Sequence, residues 1–196
     1  IAICLSGDLD PDATIDWIEQ YFGDWQAQEV PKFQMPTDTD LNEPIVKEVF
    51  GPQQEMLYMG FKFEGAGTKE SQMIRLIDML LANSQAGLID IDLNLKQKVL
   101  SAGSFPSIMK DHSVHFLYGV PKEGQTLEEV KDLLLAEINK IKAGDFDDWL
   151  LEAVVNDLKL SRIEGLESNR NRAFTMIDAF INELEFADLV FELDSM

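Results

Sequence analysis

"LYMGFKFEGAGTKESQMIRLIDMLL", residues 57–81, joins two hydrophobic periods within one short stretch. Leu57, Met59, Phe61 and Phe63 alternate with Tyr58, Gly60 and Lys62, the two-residue period of a half-buried strand. Thr68 then stands where a helix needs a cap. Met73, Ile74, Ile77, Leu80 and Leu81 follow at helical spacing, and this stripe predicts a helix ending near Ala86-Gly87. A strand with one apolar face followed by an amphipathic helix builds sheet-and-helix layers.

C-terminal to this unit, Leu88–Leu95 is short, acidic and apolar, and a strand is expected near Val99–Ala102. In the next strand Val114, Phe116, Tyr118 and Val120 point one way and His115, Leu117 and Gly119 the other. Thr126 and Glu129 have capping-box spacing ahead of Leu127, Val130, Leu134, Ile138 and Ile141. Asp145 is expected to cap a helix running to about Gly165. Further helices are expected over Ser168–Leu184 and Phe186–Leu193. The order of strands and helices predicts an α+β fold, a largely antiparallel sheet covered by helices on one face.

N-terminal to it, Ile45–Phe50 reads as another strand, and 26–44, with three prolines and no sustained period, reads as a linker. The chain opens with an apolar run, Ile1–Leu5, that reads as a buried strand broken by Ser6-Gly7. Asp10 is placed to cap a helix, Pro11 suits its first position, and Ile15, Ile18 and Phe22 mark its face up to Gly23. The chain is thus read as two units, 1–25 and 45–196, joined by that linker.

Of 196 residues, 45% are hydrophobic, enough for a real core. Sixteen Lys+Arg against 36 Asp+Glu leave a net charge of −20, which repels phosphate backbones and anionic lipid; nucleic acid is not an expected partner. No apolar run approaches the ~20 residues of a membrane span. The lone cysteine, Cys4, can form no internal disulfide and is read as a small hydrophobe; it is compatible with cytoplasm or periplasm.

Few residues suggest chemistry. Asp8, Asp10, Asp12, Asp16 and Glu19 fit positions of a calcium-loop template, but Ala13 replaces the turn glycine and no helix enters the loop. Helix capping and a solvated acidic face explain them better. The only histidines, His112 and His115, are three apart, so a strand sends them to opposite faces and they cannot grip one ion together. Neither H-x-x-E-H nor H-E-x-x-H occurs, and Ser84, Ser101 and Ser104 lie in no nucleophile elbow. The pairs Asp90/Asp92 and Asp145/Asp147/Asp148 are expected among so many acids and serve capping and solubility. Lys96/Lys98 and Arg162/Arg170/Arg172 stand out as scarce cations; the arginines are read as helix-surface partners of Glu164 and Glu167. Phe174, Ile177 and Ile181 are core or interface.

The succession of segments resembles a known family. "LSGDLDPDATIDWIEQYFGDW" is similar to the segment that closes the first domain of zinc peptidases of the pitrilysin/insulinase family, the inverted-motif zincins. "QEMLYMGFKF", "SQAGLIDIDLNLKQKVLSAGS" and "GVPKEGQTLEEVKDLLLAEINKIKAGDFDDWLLEAVVNDLK" resemble successive parts of the family's second, non-catalytic domain. The resemblance implies a domain that helps form a closed chamber for peptide substrates, while zinc is held by H-x-x-E-H in the rest of a longer parent chain. No catalytic residue and no metal ligand carries over. An arginine and a tyrosine that touch substrate in active homologues fall at Lys96 and Ala102; lysine keeps the charge but loses the fork, and alanine keeps neither hydroxyl nor ring. The alternatives are a scaffold or assembly protein of the same fold without proteolysis, or an acidic binding module.

Overall fold

A computed structural model of the chain describes residues 1–31, 33–34, 36 and 41–191. They form two compact units, one of Gly7–Gln53 and a larger one of Ile1–Ser6 with Gln54–Met196.

In the smaller unit, α1 (Pro11–Phe22) begins as the sequence predicts: Asp10 accepts a hydrogen bond from the Ala13 amide at 3.1 Å and Pro11 opens the first turn. None of its residues is fully buried: Ile15 and Phe22 are exposed and Ile18 is half-buried. The Asp10 geometry is that of a helix cap, and the carboxylates from Asp12 to Glu19 lie along the helix that follows. The expected strand Ile45–Phe50 does not form; Ile45, Val46, Val49 and Phe50 lie outside any strand or helix and are exposed. A strand is stable only with a neighbour to accept its ladder bonds, and no described segment pairs with this one. The linker reading falls partly on residues outside the described set.

The larger unit is a sheet of three antiparallel strands in the order β1 (Leu57–Glu64), β3 (His112–Val120), β2 (Ser101–Ile108). Leu57 pairs with Gly119 and Ser101 with Val120, so β3 is central and hydrogen-bonded on both sides. β1 alternates half-buried and exposed residues along its whole length, as its sequence predicts. On β3 the covered set is Ser113, His115, Leu117 and Gly119. Ile1–Leu5 is not a buried strand either: Ile1, Ile3 and Leu5 are exposed, and Ser6 is held instead by Arg172, whose Nε donates to its Oγ at 2.8 Å.

Helices α2 (Lys69–Leu81) and α3 (Leu127–Ala143) cover one face of the sheet. Thr68 caps α2, and Thr126 with Glu129 makes the reciprocal capping box of α3. Ile74, Leu80 and Leu81 are buried as expected, but Met73 is exposed and the helix stops at Leu81, five residues before the predicted end. The stop has a local cause. Asn83 accepts from the amides of Gln85, Ala86 and Gly87, and Asp90 accepts from those of Asn83 and Ser84, so side chains satisfy the backbone in a turn. Leu117, Val130 and Leu134 are completely buried at the centre of the core, each contributing about 1.5–3 kcal/mol. Gly119 makes room for α3 there: a Cβ would press on the Val130 side chain.

Residues Asp90–Leu95 form a single wide π-helical turn, and β2 begins at Ser101 and runs to Ile108, later and longer than Val99–Ala102 suggests. Gly144 ends α3 in the left-handed conformation, and Asp147, not Asp145, starts α4 (Asp148–Glu167). α4 docks on α2 through Leu80, Leu150 and Val154. α5 (Asn169–Asn182) and α6 (Phe186–Phe191) complete the unit; Glu192 and Leu193, expected to extend α6, lie outside the described residues.

Candidate functional site

The pairing register assigns every strand residue to a face. Opposite the helices stand Tyr58 and Lys62 of β1, Val114, Phe116 and Tyr118 of β3, and Phe105 of β2, with Gly60 and Gly103 between them. The glycines shape this surface. A Cβ at Gly103 would lie 2.8 Å from the Tyr118 hydroxyl oxygen, and one at Gly60 would lie 3.4 Å from the Phe116 ring. Each aromatic ring of the central strand therefore lies down over a neighbouring strand at a glycine. Phe105 stacks on Phe116 at 5.2 Å and Tyr58 approaches Tyr118 at 6.1 Å. The result is a level aromatic surface on which Tyr58 is 60% and Phe105 43% exposed. Chemically it can hold an extended chain by ring contacts and hydroxyl hydrogen bonds.

The helix-covered face carries a polar knot. Asp78 of α2 accepts from Ser104 Oγ at 2.6 Å and pairs with His115 Nε2 at 2.9 Å, both through the same carboxylate oxygen. Serine, histidine and aspartate meet here without the order that nucleophilic catalysis requires, because serine and histidine both bond the aspartate instead of each other. His115 is only 4% exposed. The knot ties α2 to β2 and β3.

Lys96 follows the π-helical turn and forms an ion pair with Asp92. Asp92 also receives Lys140 of α3, which reaches Glu137 at 2.7 Å, and Glu137 is 2% exposed. The bond from Lys140, then that from Lys96, holds the Asp92 carboxyl below its ordinary value. Burial alone would lower the Lys140 ammonium, yet its bonds to Asp92 and Glu137 leave it raised. The Lys96 charge is thus engaged within a network that joins the turn to α3. Ala102 is buried on the helix-covered face and pairs with Gly119, so its side chain does not reach the aromatic surface.

The sequence reading missed Asn94. Its carboxamide accepts from the Ala102 amide and donates to the Ala102 carbonyl, both at 2.9 Å, so one side chain completes the start of β2 as a neighbouring strand would. Arg170 and Arg172 make contacts other than the expected pairs with the Glu164 and Glu167 carboxylates. Arg172 donates to the Leu166 carbonyl at 2.6 Å and to the Glu167 carbonyl, and Arg170 lies over the Phe174 ring at 5.5 Å. The last carbonyls of α4 lack intrahelical partners, which makes them good acceptors for a guanidinium.

The model of the Peptidase M16 inactive domain matches residues 1–158. The chain belongs to the M16 peptidase family. Solved structures agree with this M16 domain in fold. A protease from Helicobacter pylori superposes with a TM-score of 0.76 at 18% identity, over 97% of this chain and 51% of the other. The periplasmic protease PqqL from Escherichia coli gives 0.68 at 16%, over 97% and 22%. A chain of Complex III2 from Candida albicans gives 0.57 at 8%, over 72% and 36%. The M16 domain thus spans about half the length of the first relative and less of the others. No curated protein matches its sequence.

Zinc, implied by the family, does not fit the donors of this M16 domain. His112 and His115 alternate on β3, the second is bonded to Asp78, and no described group of three His, Cys, Asp or Glu side chains is arranged for a metal. No described helix is long and apolar enough to cross a membrane.

Proposed function

We propose that this chain is a non-catalytic wall of a larger zinc metalloendopeptidase, helping to form the closed chamber in which a peptide is hydrolysed. The observation that carries this is the uncovered aromatic face of a sheet whose other face is packed with helices, in a domain whose family model is described as inactive. In this reading residues 1–25 close an upstream domain, 26–44 connect, and 45–196 form the wall. Its partners are the remaining domains of the parent chain and a peptide substrate, and the net charge of −20 favours basic peptides. The zinc, its ligands and the general base belong to the rest of the parent. Lys96 stays a candidate substrate contact, reachable by a peptide because its side chain is 56% exposed despite its pair with Asp92.

The test uses the full parent protein with Tyr58→Ser and Phe105→Ser, two exposed positions. The proposal expects KM for an unfolded peptide to rise with kcat little changed, since only peptide binding is removed. Unchanged KM in both variants overturns it. The Complex III2 likeness supports a second reading, a scaffold of the same fold without proteolysis; a parent lacking H-x-x-E-H and inert toward peptides would establish that instead.

A further inference from the structure

The chain contains four arginines among 196 residues, at 75, 162, 170 and 172, and all four stand on helices: Arg75 on α2, Arg162 on α4, and Arg170 and Arg172 on α5. Arg75 of α2 and Arg162 of α4 line an open groove of about 400 Å³ between α2, α4 and α5. Arg172 braces the α4–α5 turn behind it, and Arg170 covers Phe174, whose ring lines the groove. Among the described residues Asp178 is the only carboxylate that lines the groove beside these two guanidiniums. The volume falls within the usual range of ligand pockets, about 300–1,000 Å³.

The lining narrows the ligand class. Arg75 and Arg162 each interact within the chain, which holds them, and the five N–H donors of a guanidinium leave capacity for further oxygens. Leu158, Leu166 and Phe174 supply carbon between them. Gly165 keeps the α4 side open, since a Cβ there would meet nothing nearer than Asn171 Nδ2 at 4.0 Å. A bare inorganic anion would use the guanidiniums and leave the apolar wall unfilled. We propose that this groove docks an acidic peptide segment, its carboxylates on Arg75 and Arg162 and an intervening aromatic side chain against Phe174. The site is on the helical layer, away from the aromatic sheet face, and independent of the reading of that face.

The test is calorimetric titration of the whole chain with the peptide acetyl-Glu-Phe-Asp-Glu-amide, with acetyl-Lys-Phe-Lys-Lys-amide and with inorganic phosphate. The proposal expects the acidic peptide alone to bind, Arg75→Gln and Arg162→Gln each to weaken it about tenfold or more, and Phe174→Ser to weaken it less. Ser161→Glu, an exposed change in the same lining that leaves both arginines in place, is expected to abolish binding while circular dichroism stays native, and it serves should an arginine variant fail to fold. Equal binding of the two peptides, binding of phosphate as tight as the acidic peptide, or full affinity in Ser161→Glu overturns the proposal.

Discussion

Asn94→Ala removes one side chain and two hydrogen bonds, both 2.9 Å long and both made to the backbone of Ala102. Each is worth about 1 kcal/mol net. Ala102 is 4% exposed, so its freed amide and carbonyl cannot be fully rehydrated, and stranding buried groups adds to the loss. The expected cost is about 2–4 kcal/mol. For a domain of this size each kcal/mol lowers Tm by about 2–4 °C, so Tm should fall by about 4–16 °C. Urea unfolding followed by circular dichroism gives the quantity directly: the midpoint should drop with the slope unchanged. Asn94→Asp keeps the acceptor but sets a carboxylate against the Ala102 carbonyl, so it should recover little. A loss below about 0.5 kcal/mol in Asn94→Ala would show that β2 starts without this clamp.

Gly119→Ala should cost about 1–3 kcal/mol by chemical denaturation, because its Cβ enters the space of Val130 between β3 and α3. Asp78→Ala should cost about 2–3 kcal/mol and Ser104→Ala about 1, since both knot bonds converge on Asp78; equal losses would mean that the aspartate is not the hub. Asp92 sits below its ordinary value of 3.8, so what it contributes is present above that pH and is lost as pH falls through the lowered folded value. The stability gap between the chain and Asp92→Asn should therefore be steady from about pH 5 to 9 and close below about pH 3.8; a gap that persists into acid contradicts the assignment. Lys140 is raised above 10.5, so its share is present below that value and lost as pH climbs through the folded one; above it, Lys140→Met and the unsubstituted chain should converge.

Much of the fold was legible where the deciding information is local. The alternation at Leu57–Phe63 and the Thr126–Glu129 box specify a strand and a helix start through neighbours in the chain, and both stand as read. Ile1–Leu5 and Ile45–Phe50 carry the same local signal, but an edge needs a partner, and no described segment is paired with them. The start of β2 was misplaced because the π-helical turn and the Asn94 clamp, which acts eight residues away, set it together. Nothing in the sequence singles out Glu137 as a buried acid; its burial is explained by Lys140, which also reaches Asp92, 48 residues back. The aromatic surface was half legible: the alternation separates the faces, yet only the pairing of Gly60 with Phe116 and Gly103 with Tyr118 shows that the rings lie flat. The lack of a catalytic motif was plain from the sequence alone.

The central claim is that bond cleavage belongs to polypeptide other than this chain. Cleavage of a fluorogenic unfolded peptide, assayed with zinc added, addresses it most directly, comparing residues 1–196 alone with the full parent protein. The account predicts no turnover by the chain at any zinc concentration, and turnover by the parent that a chelator abolishes. Zinc-dependent cleavage by residues 1–196 alone would contradict it.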